Sequence, residues 1–162
     1  MRSTVAIYDS HWTALDAVEV LKNKSYPVSK LSILGQAKVN DPDKKKKSVK
    51  QTKQDSISLG IVLGSNVGVL PQSRIMAVPE LGFIFGSGAI LDAIADYNED
   101  FKGIRMGTIL GIIGIKKDKV DKYRRVFHEG KFLVVAQGRD DEVEKANTIL
   151  CNCGRPLEIN LQ

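Results

Sequence analysis

Small and apolar residues run together over Thr4–Tyr8 in a composition that favours extended backbone, and Asp9 and Ser10 follow as oxygens suited to capping a helix start. From residue 11 to 24 the apolar positions Ala14, Leu15, Val18 and Leu21 recur at intervals of three and four, one stripe of a helix. Lys22 and Lys24 sit at its C-terminal end, where the dipole favours cations, and Pro27 stops it. Leu31–Gly35 reads as a second strand. The last third repeats this order. Lys131–Gln137 is a strongly apolar strand, Asp140, Asp141 and Glu142 suit a helix N-terminus, and Val143, Ala146, Ile149 and Leu150 form the stripe. Gly154 is placed to end that helix in the left-handed region, and Leu157, Ile159 and Leu161 alternate as a final strand.

Two β-α-β units in tandem predict an α+β fold, a ferredoxin-like sandwich of residues 1–35 and 131–162 in which four antiparallel strands bury one face under two helices. Residues 36–130 are then an insertion. Its first part, 40–55, is polar and turn-rich and predicts a mobile lysine loop. The stretch 57–114 holds ten of the chain's fourteen glycines, many spaced by four: Gly60, Gly64 and Gly68; Gly82 and Gly86; Gly103, Gly107 and Gly111. On a helix each set makes one smooth face that lets another backbone approach closely, so the stretch predicts glycine-rich helices. Such faces suit packing inside the subunit, pairing between copies in a homo-oligomer, or contact with a membrane. Residues 116–129 predict an amphipathic helix with Val120, Tyr123, Val126 and Phe127 inward, ending at Gly130.

Composition changes this picture little. A chain of 162 residues with 43% hydrophobic and 27% charged residues suits one core. The net charge of +5 resides mostly in 41–55, where six lysines face three aspartates. Lys44, Lys45, Lys46 and Lys47 could meet phosphates of nucleic acid or anionic lipid, but no aromatic is interleaved, so a solvated loop is favoured and nucleic acid is not the expected partner. Pro79, Glu80 and Asp92 interrupt the most apolar window, 75–94, which argues against a membrane span. The start of the chain shows no apolar signal region, and two cysteines cannot staple a fold of this size, so the expected location is the cytoplasm.

The segments 5–35 and 111–154, together with the glycine-periodic middle and its Pro79-Glu80-Leu81-Gly82 turn, resemble the bacterial general stress protein 17M-like (heat-induced stress protein) family. Arg74, Arg105 and Tyr97-Asn98-Glu99-Asp100 depart from its usual insert. The resemblance implies a stress-associated protein with a glycine-zipper insert and carries over no reaction, catalytic residue or cofactor.

The residues themselves hold four constellations with a chemical reading. Asp9-Ser10-His11 has the residue types of a nucleophilic triad, but consecutive side chains at a strand end diverge, and a helix cap is favoured. His128 fits a helix C-terminus, and no ligand pattern surrounds it. Cys151 and Cys153 are expected as buried or half-buried thiols at a helix end, because a zinc site needs about four ligands. Gly86-Ser87-Gly88 before a helix resembles a phosphate-cradling turn, with Leu91 where a dinucleotide fingerprint has glycine; packing is favoured, with these three as weak ligand candidates. No cofactor or metal is expected. The expected function is non-enzymatic, self-association or partner binding through Gly60, Gly64, Gly68, Gly103, Gly107 and Gly111, the alternative being the sensing of an anionic metabolite or nucleotide.

Overall fold

A computed structural model describes residues 2–37, 70, 73–98 and 103–162, with the backbone alone for Cys153 and Gly154. Among them six strands form one antiparallel sheet and five α-helices flank it. In chain order these are β1 (Arg2–Tyr8), α1 (His11–Asn23), β2 (Leu31–Gln36), β3 (Ser73–Val78), β4 (Gly82–Gly88), α2 (Ala89–Tyr97), α3 (Met106–Ile112), α4 (Val120–His128), β5 (Phe132–Gly138), α5 (Asp140–Ile149) and β6 (Glu158–Leu161). The strand order is β3-β4-β2-β5-β1-β6. Each β-α-β half contributes one central strand, β1 or β5, and these pair along their whole length from Arg2 opposite Gly138 to Tyr8 opposite Phe132.

Side chains alternate across a strand, so the sheet presents two faces, and both are covered. On one, Ala14, Val18 and Leu21 of α1 and Ala146 of α5 pack on Ile33 and Val134. On the other, Ile94 of α2, Leu110 of α3 and Phe127 of α4 pack on Ile7, Leu133 and Val135. Two neighbouring side chains of β1 tie the layers together: Ser3 donates from Oγ to the Ile113 carbonyl beyond α3, while Thr4 donates to Asn147 of α5 at 3.0 Å. The sheet expected to bury a single face therefore buries two, and the inserted helices supply the second layer. The cause lies in β5: Phe132-Leu133-Val134-Val135-Ala136 is apolar at every position, the pattern of a strand with no solvent side.

Within the expected glycine-rich helical stretch, residues 73–88 form a β-hairpin, β3–β4, that adds two strands beside β2. A spacing of four is a multiple of the strand period of two as well as a near-turn of helix, so Gly82 and Gly86 share a strand face just as readily. Ile75, Phe83, Ile84 and Phe85 then tip the backbone to extended. Pro79 lies in the hairpin turn, where Leu81 N–H donates to the Val78 carbonyl at 3.0 Å. Gly107 and Gly111 are helical, in α3. The helix expected over 116–129 is a 3-10 turn, Lys117–Lys119, followed by α4, with Tyr123, Val126 and Phe127 buried. At the end of α5 the left-handed residue is Arg155 (φ 48°), one past Gly154, after a π-helical turn over Leu150–Gly154. The lysine loop with Lys44, Lys45, Lys46 and Lys47, and Gly60, Gly64 and Gly68, lie outside the described residues.

Two glycines set close approaches. Gly35 lies beneath Phe132, whose ring occupies the place of a Cβ. Gly88 joins β4 to α2 with φ 86°, and a Cβ there would overlap the Leu31 carbonyl. Gly88→Ala is expected to cost roughly 2–4 kcal/mol through left-handed strain and overlap together, and Gly35→Ala about 1–3 kcal/mol by displacing the ring. Urea unfolding of both variants checks this.

Candidate functional site

At the end of the sheet where β5 finishes and β2 begins, the helical layers part around a cleft of about 750 Å³. Three pieces of chain build it. α2 contributes Ala89, Asp92, Ala93 and Asp96, spaced i, i+3, i+4 and i+7 on one helical stripe, while Ile90, Leu91 and Ile94 on its other side enter the core. The rim is Ser29 and Lys30 ahead of β2 together with the run Gln137 to Asp140 that carries β5 into α5, and Ile112 of α3 adds an apolar wall. Hydrogen bonds fix these pieces. Ile90 N–H donates to the buried Ser32 hydroxyl at 2.9 Å, the Gln137 amide donates to the Ile112 carbonyl at 3.4 Å, and Tyr26 donates from its hydroxyl to the Gln137 carbonyl at 2.9 Å.

The rim cations are already partnered. Lys30 Nζ donates to both carboxylate oxygens of Glu142 at 2.7 Å, and Arg139 reaches Asp141 at 3.3 Å. Glu142 also accepts the Arg139 backbone N–H at 2.9 Å, closing the first turn of α5. Its carboxyl is held below the usual range, first by the hydrogen bond from Lys30 and then by that N–H. Burial, helped by the Glu142 charge, pushes the Tyr26 phenol up to about 12. The Gly86-Ser87-Gly88 turn is used internally: Gly86 faces Met76 and Leu91, Ser87 is buried with its hydroxyl 3.3 Å from that of Ser73, and the cleft begins one residue later at Ala89.

The Asp9-Ser10-His11 trio is separated. Ser10 caps α1, accepting the Thr13 N–H at 3.2 Å, and Thr13 returns the contact to the Ser10 N–H. The His11 ring turns inward and packs edge-on to Phe85, with centroids 5.3 Å apart, and against Phe132 at 5.5 Å. Burial, which disfavours the cation, lowers its pKa from 6.5 to about 4. That position, the first residue of a helix, is invisible as a core site in a sequence where histidine reads as polar. His128 ends α4. Cys151, expected to be at least half-buried, is an exposed free thiol on the π-helical turn that follows α5.

Gly107 and Gly111 lie on an exposed edge of α3, whereas Gly103, expected on the same helical face, stands three residues before the helix in the left-handed region (φ 66°); no heavy atom is near enough to touch an added Cβ at any of the three. Trp12 and Phe83 are the exposed aromatics on the α1 side of the sheet. Among the described residues no helix is long and apolar enough to cross a membrane, and no group of three or more metal-binding side chains gathers. Comparison of the chain with protein-family models, with curated proteins and with solved structures finds no match.

The His11 shift fixes a sign. Below pH 6.5 the unfolded chain takes up a proton that the folded state refuses until about pH 4, so stability falls as pH drops through that window. Between pH 7 and pH 5 this single group should remove about 2 kcal/mol of stability. His11→Gln should flatten that part of the profile in urea titrations at the two pH values; an unchanged slope would contradict the burial of the neutral ring.

Proposed function

We propose that the chain is a ferredoxin-like binding domain that holds a small molecule in the cleft between α2 and the β5–α5 rim without transforming it. The topology supports the ferredoxin-like reading: β1-α1-β2 and β5-α5-β6 repeat one unit, and their strands lie in the order β2-β5-β1-β6, to which the hairpin adds an edge. The cleft itself carries the functional reading. Its volume of about 750 Å³ falls inside the roughly 300–1,000 Å³ usual for small-molecule sites, and its lining sets a short apolar strip, Ala89, Ala93 and Ile112, among charged and polar groups of α2 and the rim. The resemblance to the general stress protein family fits a cytoplasmic, stress-associated protein and carries over no ligand. The side chains of Ser10 and His11, committed to capping and to the core, favour binding over nucleophilic catalysis.

A second reading, self-association, is favoured by the open glycine edge of α3. A homo-oligomer built on Gly107 and Gly111 would use that edge for close backbone contact.

Light scattering combined with thermal-shift screening of metabolites separates the two. Cleft binding predicts a stable monomer that is stabilised by a ligand, and Gly107→Ala or Gly111→Ala, meeting open space, should raise its stability by about 0.5–1 kcal/mol each. Self-association predicts an oligomer indifferent to metabolites, which the same substitutions dissociate.

A further inference from the structure

The cleft has two unlike sides. Toward it α2 turns two methyl-bearing residues, Ala89 and Ala93, and two carboxylates, Asp92 and Asp96, one turn apart. The rim side holds Lys30 and Arg139, whose charges are met by Glu142 and Asp141, and Asp140, which Arg2 reaches only at 3.8 Å. Among the described residues the side chains of Asp92 and Asp96 have neither an ion pair nor a hydrogen-bond partner. An anion entering here competes with Glu142 and Asp141 for cations they already neutralise, whereas a cation at Asp92 and Asp96 competes with no ion pair. The lining also sums to −1, two bases against three acids.

We infer that the cleft accepts an organic cation of the aliphatic diamine or polyamine class, with one ammonium between Asp92 and Asp96, the methylene chain over Ala89, Ala93 and Ile112, and a second ammonium near Asp140. The cavity supplies the site and the charge distribution selects the ligand. Water-exposed carboxylates a helical turn apart attract an ammonium weakly, while the apolar wall between them and Asp140 rewards a ligand with a hydrocarbon middle. This reverses the sign of ligand expected from the Gly86-Ser87-Gly88 turn, because the cleft opens on the acidic stripe of α2 and the turn does not reach it. The inference rests on the cleft being the working site, as proposed above.

Titration of the full chain at low ionic strength with 1,5-diaminopentane and spermidine tests it, with glutarate and 1-pentanol as anionic and neutral controls. Amide chemical shifts report the location and calorimetry the affinity. Binding of the two amines is expected, with shifts at Ala89, Ala93, Ile112 and Gln137, and the Asp92→Asn/Asp96→Asn double variant should bind about tenfold more weakly. Asp16→Asn, on exposed α1, should leave the affinity unchanged. If glutarate or pentanol shifts the cleft amides and the amines do not, the cleft is a binding site and the assigned ligand class is wrong. If none of the four probes moves those amides, both the ligand class and the reading of the cleft as a small-molecule site fail. Equal weakening by Asp16→Asn would show diffuse charge attraction and overturn the inference.

Discussion

Burial of the sheet on both faces is the constraint from which the rest of the molecule follows. β5 has no solvent side, and β1 and β2 leave little more. Placing two helices on one face would leave Ile7, Leu34, Leu133 and Val135 in water, and each such side chain is worth about 1.5–3 kcal/mol when buried. α2, α3 and α4 remove that cost. The insertion between the two β-α-β halves is therefore part of the same core, and Ser3 and Thr4 fasten β1 to a layer on each side.

The cleft is a consequence of this layering. α2 has to leave β4 sharply, which Gly88 permits, and α5 leaves β5 on the opposite face of the sheet. Where the two helices diverge, the strand ends and the turn before β2 are exposed between them. The glutamate that caps α5 also holds Lys30, so the electrostatics of helix capping and of the cleft rim are one arrangement. What remains unmatched is the acidic stripe of α2.

Much of the framework was legible along the chain. The alternation and helical stripes around β1-α1-β2 and β5-α5-β6 carry strong local signals, among them Ser10 as a cap and the acids that open α5, whereas α1 ends at Asn23 and the chain turns at left-handed Ser25, ahead of the Pro27 expected to stop it. The second layer was less legible, although its clue was present: a run such as Phe132–Ala136 implies cover on two sides, whereas a half-exposed sheet would alternate. The hairpin was hidden by an arithmetical coincidence, since a glycine spacing of four satisfies strand and helix alike. The cleft residues could not be found by local pattern at all. Lys30, Asp92, Gln137 and Arg139 come together only through strand order, and nothing in their own neighbourhoods marks them. His11 misleads for the opposite reason, being a polar residue type used as an aromatic filler beside Phe85 and Phe132.

The inserted helices and the β-α-β halves share one core. Native-state hydrogen exchange followed against denaturant measures this. A shared core predicts that the most protected amides of α3 and α4 and those of β1 and β5 exchange through the same global opening, with equal free energy and equal denaturant dependence. Exchange of α3 and α4 through a separate, smaller opening while β1 and β5 stay protected would contradict it.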